Sequence, residues 1–340
     1  MPLTLETQWQ LQQDQRRRVV RFMLLVLLAL VVLLIGLSFW LTQPLLTTQN
    51  SGPGPIVDPA RLEAMVRRLS VDFIPRDSGH PENLAKVSDY IKEQFQQSGA
   101  RVVTQPYLIE GKSYQNIIGH FGPDAGERIV IGAHYDTAGP LPGADDNASG
   151  IAGLLELARL LSKEQLKIHI ELVAFTLEEP PFFRTNKMGS AIHADSLRKE
   201  NVAVKVMISL EMIGYFSDAP ESQQFPATLL QLFYPSTGNY VAVVGRMSEG
   251  LIVRRIKSSM RSAMPLPVYS ISAPSIIPGI DFSDQLNYWN AGYNAVMITD
   301  TAFYRNHNYH TANDTADTLD YQRMAIVVEG VFKAVMDLSK

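Results

Sequence analysis

Short, continuously apolar segments that alternate with helical segments constrain the fold of this 340-residue chain more than any other feature. The segments RIVIGAH (residues 128–134) and ELVAFTL (171–177) are almost wholly apolar inside, which is typical of strands buried on both faces of a sheet. Elsewhere, as in residues 81–98 and 321–338, apolar residues recur at helical spacing. This alternation predicts an α/β fold, with a mixed, mostly parallel sheet and helices on both faces.

The N-terminal region carries a second strong signal, an uncharged apolar run from Phe22 to Leu41. About 20 apolar residues cross the hydrocarbon core of a membrane as a helix. Four arginines precede the run and no basic residue follows it closely, which places the N-terminus in the cytoplasm. We therefore predict a single-pass protein of the inner membrane, with a basic cytoplasmic segment (1–21), a transmembrane signal-anchor helix (22–42), a linker rich in proline and glycine (43–58) and an extracytoplasmic, periplasmic domain (59–340).

A cleaved signal peptide is the alternative interpretation of this run. Such a peptide has an apolar core of about 7–15 residues followed by a site of small residues. The run from Phe22 to Leu41 is longer, and no such site follows Trp40. An uncleaved anchor is therefore favoured, and the membrane is one expected partner of the chain.

Composition excludes several other classes of protein. The net charge is −4 and no basic tract occurs beyond the N-terminus, so a nucleic-acid partner is not expected. The chain has no cysteine. Disulfides, thiolate metal sites and cysteine nucleophiles are therefore excluded, and any metal ion must be held by His, Asp and Glu.

Five clusters of polar residues, most of them His, Asp or Glu, follow predicted strands. Ligands of α/β sheets lie beyond the carboxyl ends of the strands, so these residues are expected to share one site. Alone, each has an ordinary explanation, such as a helix cap or an ion pair. Together, several carboxylates would repel one another unless a cation neutralised them. Two histidines and three carboxylates suit a pair of zinc ions about 3.5–4 Å apart. The polar residues of all these clusters taken together are His134, Asp136, Asp145, Asp146, Glu178, Glu179, Glu211, Tyr309 and His310.

The motifs HYDT, GADDNASG, LEEP, LEMIG and YHTANDTADTLDY occur in this order between His134 and Tyr321. They resemble the zinc aminopeptidase family, metallopeptidase family 28, which includes bacterial leucyl aminopeptidases, glutamate carboxypeptidase and glutaminyl cyclases. The resemblance implies a zinc exopeptidase fold with two Zn²⁺ ions per chain. It also implies the metal ligands: Asp145 bridging both ions, His134 and Glu211 completing one, and Glu179 and His310 completing the other.

The same resemblance implies roles for residues around the metal ions. Glu178 would be the general base, and Tyr309 would contact the substrate carbonyl or the developing oxyanion. Asp136 would orient His134, and Asp146 would shape the turn after the bridging residue. Tyr215 and Asp284 are weaker candidates for the substrate pocket.

Two departures from the family pattern are visible. Glu211 stands where well-known members carry Asp, so the side chain that would bind this zinc is one methylene longer. Pro180 and Pro181 follow the two acids of LEEP where a glycine is common. Because proline cannot donate a ladder hydrogen bond, we also expect these prolines to help end the strand at Glu178 and Glu179.

These observations predict a membrane-anchored dizinc exopeptidase, an aminopeptidase acting on peptides. Zinc lowers the pKa of bound water to about 7, and Glu178 would take the proton as the hydroxide attacks the peptide carbonyl. Two alternatives stay open: a glutaminyl cyclase-like zinc acyltransferase, and a non-catalytic receptor-like ectodomain on the same fold. Dipeptidase and carboxypeptidase activities, the side-chain preference and the oligomeric state are not distinguished by the sequence.

Overall fold

A computed structural model describes residues 4–42, 56–124, 126–263 and 265–340 of the chain. These residues form two compact units, Met1–Pro44 and Leu45–Lys340. The predicted linker, 43–58, lies mostly outside the described residues.

The first unit contains one long helix, α1 (Leu5–Thr42). Its most apolar stretch has a mean hydropathy of 3.1. By length and composition, this helix could cross a membrane. The helix begins upstream of the predicted boundary at residue 22, so the basic segment is helical from Leu5.

The second unit is an eight-stranded sheet with helices packed on both faces. Its strands lie in the order β1-β2-β4-β3-β5-β8-β6-β7. Four neighbouring pairs are parallel (β3–β4, β3–β5, β5–β8 and β6–β7), and the other three are antiparallel. The strands are β1 (Arg101–Ile109), β2 (Lys112–Phe121), β3 (Arg128–His134), β4 (His169–Phe175), β5 (Val204–Glu211), β6 (Val241–Gly245), β7 (Val268–Ser272) and β8 (Ala295–Thr299). The predicted mixed, mostly parallel sheet is confirmed.

The helices divide unequally between the two faces of the sheet. The larger core includes residues of α2, α3, α4, α6 and α8, and the smaller core includes residues of α5 and α7. Strands β3 and β4 are buried almost throughout because they contribute to both cores. The α-helices of the described part of this unit are α2 (Pro59–Arg67), α3 (Pro81–Gln97), α4 (Gly150–Leu161), α5 (Gly189–Lys199), α6 (Gly250–Ala263), α7 (Gln285–Asn290) and α8 (Tyr321–Leu338).

The end of β4 differs from the sequence expectation. The strand ends at Phe175, ahead of the two acids. Leu177 then adopts a left-handed backbone with φ of 60°, a conformation that is costly for a residue other than glycine. The chain therefore leaves the sheet at Leu177, before the prolines expected to stop the strand.

The turn that enters α4 depends on Gly143, which has φ of 54°. A Cβ atom at this position would lie 2.3 Å from the carbonyl oxygen of Asp146 and 2.4 Å from Thr137 Cγ2. Both the backbone and the packing therefore require glycine here.

We predict that Gly143→Ala lowers the free energy of unfolding by about 3 kcal/mol or more, because left-handed strain and a steric clash add together. Gly99→Ala is the matched control, since Gly99 has φ of 78° and open space around it. The control is expected to cost about 1 kcal/mol. Urea denaturation of the full chain in mild detergent measures both values, and equal losses would contradict the packing argument.

Candidate metal centre

The predicted ligands gather at the carboxyl-terminal edge of the central strands. His134 ends β3 and Glu211 ends β5, whereas Glu178 and Glu179 follow β4 and His310 lies in the loop after β8. These five side chains come from four separate loops or strand ends, yet they form overlapping groups of potential metal ligands. This edge is where α/β sheets bind their ligands.

Asp146 lies between two such groups. Its Oδ1 is 3.4 Å from His134 Nε2, and Glu211 Oε2 is also 3.4 Å from that nitrogen. Its Oδ2 is 3.0 Å from His310 Nε2, and Glu179 Oε2 is 3.2 Å from that nitrogen. One carboxylate therefore offers an oxygen to each of two adjacent positions, as a shared ligand of a two-metal site must.

Asp145, which the sequence analysis expected to be the shared ligand, does not lie in this position. Its Oδ1 accepts a hydrogen bond of 3.0 Å from the backbone N–H of Gly214, and its Oδ2 accepts one of 2.8 Å from Asn306 Nδ2. Both oxygens are thus used to tie neighbouring loops together. The geometry corrects the expectation: Asp146 faces the metal-ligand groups, and Asp145 shapes the surrounding loops.

Glu178 and Glu179 both face the centre although they are adjacent in the chain. Successive side chains of a strand point to opposite faces, but β4 has already ended at Phe175, and the left-handed Leu177 then redirects the chain. Glu178 is 5% exposed, and its Oε2 lies 3.9 Å from His134 Nε2. Glu178 belongs to a third group, with His134 and Glu179, but to neither of the two groups that contain Asp146.

Two buried aspartates hold the backbone of the acidic segments in the same way. The carboxylate of Asp136 accepts hydrogen bonds of 3.1 Å from the backbone N–H groups of both Glu178 and Glu179. The carboxylate of Asp314 accepts bonds of 3.0 Å from those of Asp145 and Asp146. Each aspartate thereby fixes two consecutive residues of the centre.

The sequence predicted a role for one of these two aspartates but not for the other. Asp136 was expected to orient His134, and its Oδ1 lies 3.6 Å from His134 Nδ1. Asp314 was not assigned a role, although it lies within the quoted motif YHTANDT, four residues after His310.

Other supporting residues were also missed. Asn147 donates from Nδ2 to the carbonyl of Leu210, and Ser283 donates from Oγ to Glu211 Oε2 at 2.6 Å. Arg76 is fully buried and donates to the carbonyls of Leu69, Tyr135, Pro142 and Gly143. No sequence motif marks Arg76, because its partners are backbone carbonyl oxygens that any residue could supply.

Electrostatics within the centre reflects the crowding of carboxylates. Burial raises the pKa of Glu178 well above its usual value, against the opposing effect of His134. Burial and the charge of Asp146 raise the pKa of Glu179 to about 8. Burial lowers the pKa of His310, but Asp146 and Glu179 outweigh this effect and raise it to about 10. The pKa values of all three groups are raised, as expected where several buried carboxylates lie close together.

The donor set suits divalent zinc. His134 Nε2 is buried and makes no hydrogen bond, although carboxylate oxygens of Asp146 and Glu211 lie 3.4 Å away. Imidazole nitrogens and carboxylate oxygens are the ligands that zinc takes when cysteine is absent. A bound cation would also relieve the repulsion between the carboxylates.

An apolar cavity of about 110 Å³ opens beside this centre. Glu211 and Tyr309 line it on the side of the metal ligands, and rings of Tyr240, Tyr269 and Phe282 line other parts of it. Tyr309 also stacks on His310, with ring centroids 3.7 Å apart.

Two weaker candidates for the substrate pocket are placed elsewhere. Tyr215 does not line the cavity; its backbone N–H donates to Asp300 and its carbonyl accepts from Arg305. Asp284 is fully buried and does not line the cavity either. Neither residue lines this cavity, and a role for them in binding the substrate stays a prediction.

Residues 116–335 match peptidase family M28. The chain belongs to this family. The *Escherichia coli* (strain K12) protein YfbL is 52% identical over 281 residues, which cover 80% of this chain and 86% of YfbL. The family resemblance inferred from the motifs is thus confirmed.

Solved structures of low sequence identity share the fold of this M28 protein. The zinc aminopeptidase BSAP from *Bacillus subtilis* has a TM-score of 0.67 at 16% identity, over 83% of this chain and 95% of BSAP. A glutaminyl cyclase from *Bacteroides thetaiotaomicron* has a TM-score of 0.63 at 19% identity, over 83% of this chain and 98% of that protein. The fold alone therefore does not separate a hydrolase from a cyclase.

We predict that Asp146→Asn lowers the metal content of the protein and that Asp145→Asn leaves it unchanged. Asp146→Asn removes the charge that faces both ligand groups, so bound zinc is expected to fall by at least half. Asp145→Asn can still accept from Gly214, and Asn306 can turn its amide to suit the new side chain, so zinc is retained. Elemental analysis of the two purified variants, with thermal unfolding as the control for folding, makes the comparison. Loss of zinc only in Asp145→Asn would restore the original assignment.

Proposed function

We propose that this M28 protein is a dizinc aminopeptidase, anchored in the membrane by α1, with its catalytic unit outside the cytoplasm. Family membership supports a metallopeptidase-type hydrolase. The observation that carries the finer proposal is the position of Asp146, whose two oxygens face two separate groups of ligands. A one-metal enzyme would not need that arrangement.

In this proposal His134 and Glu211 would hold one zinc ion, Glu179 and His310 would hold the other, and Asp146 would be a ligand of both. When bound, zinc supplies Lewis-acid activation of water and of the substrate carbonyl. The chain contributes the geometry: Asp136 and Asp314 hold the backbone of the acidic ligands, and Ser283 holds Glu211 through its Oε2.

Glu178 is proposed as the general base. Its carboxylate is buried, lies near His134 and is not needed as a ligand in either group around Asp146. It would accept a proton from the attacking water and then donate it to the leaving amine. Tyr309, which lines the apolar cavity, is proposed to donate from its hydroxyl to the oxygen on which negative charge develops.

We predict that Glu178→Gln lowers the turnover of an aminoacyl chromogenic substrate by about 10²–10⁴-fold, the usual contribution of general acid–base catalysis. Zinc content is expected to stay unchanged, because Glu178 belongs to neither group around Asp146. The exposed Glu164→Gln serves as the matched control and should keep full activity. Unchanged turnover in Glu178→Gln would remove Glu178 from the mechanism.

The apolar cavity is proposed to receive the N-terminal side chain of the peptide. Since aromatic and aliphatic residues line it, phenylalanyl and leucyl substrates are expected to be cleaved better than glutamyl or lysyl ones. Ala242 lines the cavity. Ala242→Phe should therefore raise KM for a phenylalanyl substrate and leave KM for an alanyl substrate almost unchanged. Equal effects on both substrates would show that the cavity does not bind this side chain.

A glutaminyl cyclase is the second candidate, because a solved glutaminyl cyclase shares this fold. The two reactions differ in their products. Hydrolysis of a glutaminyl peptide releases free glutamine, whereas cyclisation releases ammonia and leaves a pyroglutamyl peptide. Mass spectrometry of the products from one glutaminyl peptide therefore distinguishes the candidates. If the zinc-loaded chain forms neither product and cleaves no aminoacyl substrate, the receptor-like alternative is favoured.

A further inference from the structure

A second group of histidines and a carboxylate lies at the opposite edge of the sheet from the catalytic centre. It consists of His120 at the end of β2 together with His169 and Glu171 at the start of β4. His120 pairs with Glu171 across the antiparallel β2–β4 ladder. His169 begins β4, and the catalytic acids follow the other end of that strand, about 20 Å away at the usual rise of a strand.

The ligand atoms of this group converge on one point. His120 Nδ1 lies 2.9 Å from His169 Nε2 and 3.4 Å from Glu171 Oε1. His169 Nε2 lies 3.6 Å from the same oxygen. These separations are close to those between neighbouring ligands of a tetrahedral zinc ion, whose bonds to nitrogen and oxygen are about 2.0–2.2 Å long.

Glu171 is buried without a full set of partners. Its side chain is 2% exposed, and its Oε2 makes no hydrogen bond. A buried carboxylate oxygen without a partner is costly.

We infer that His120, His169 and Glu171 form a second metal site that binds a transition-metal dication such as zinc, separate from the catalytic centre. Three protein ligands leave a fourth position for water. The side chain of His120 is 13% exposed, which gives the ion a path from solvent. A bound ion would cross-link β2 and β4 at the edge of the sheet opposite the substrate.

Arg128 is expected to lower the affinity of this site for a metal ion. Its guanidinium donates to Glu171 Oε1, the oxygen that faces both histidines. A positive charge at this distance opposes binding of a dication, so the site is expected to be weaker than one without the arginine. Among divalent ions, those with high affinity for imidazole are favoured, which selects zinc or copper over magnesium or calcium.

The first test compares zinc content in the full-length chain. The double variant His120→Gln/His169→Gln should bind one zinc equivalent fewer per chain than the unmodified protein, with aminopeptidase turnover unchanged. His80→Gln is the matched control, since His80 lies on the same unit but in neither cluster. Equal zinc content and equal zinc affinity in the double variant and the control would overturn the proposal and leave a hydrogen-bonded histidine pair.

The second test varies charge and does not depend on losing a ligand. Arg128→Gln should bind the additional zinc about tenfold more tightly, because a neighbouring positive charge has been removed. An unchanged affinity would count against the site. Both measurements are independent of the catalytic centre. If the proposed peptidase activity were not observed, the double variant would still bind less zinc than the unmodified protein.

A third measurement covers the case in which the variants do not fold. Cadmium NMR of the unmodified chain, carrying isotope-labelled histidine, should show one bound ion coupled to the ring nitrogens of both His120 and His169. The absence of an ion with this coupling would overturn the proposal without any mutation.

Discussion

The catalytic edge of this protein depends on two buried carboxylates that do not themselves belong to the ligand groups around Asp146. Asp136 and Asp314 each accept hydrogen bonds from two consecutive backbone N–H groups, and these belong to the segments that carry Glu178, Glu179 and Asp146. A carboxylate bound by two N–H donors is a strong and directional contact. The acidic side chains are therefore directed towards one another although their charges repel.

Strained backbone accompanies this arrangement. Leu177, Met212 and His310 all have positive φ, and each lies at or beside a residue of the centre. Such conformations cost of order 1–3 kcal/mol each and persist where the surrounding contacts hold them in place. The two prolines after Glu179 have less influence on the strand end than the left-handed Leu177, because the chain has already left β4 when it reaches them.

The sequence predicted the α/β class, the strands that precede the site and the family, and these are confirmed. The reason is that buried parallel strands are continuously apolar, and that short polar motifs at their ends are read directly from the chain. The expected roles of Asp145 and Asp146 were interchanged, since two adjacent aspartates look alike in a motif. Only the contacts of Asp145 with Gly214 and Asn306 distinguish them.

The order of residues along the chain was enough to predict which residue types could bind a metal ion and at which edge of the sheet they would meet. Which oxygen faces which histidine follows from the folded loops, because these are joined by hydrogen bonds between distant residues such as Asp314 and Asp146. It also brought His120 beside His169 and Glu171, which are about fifty residues away in the chain but are neighbours across a strand ladder. Hydrophobic patterning specifies a strand and its faces, whereas the register between strands sets which polar side chains meet.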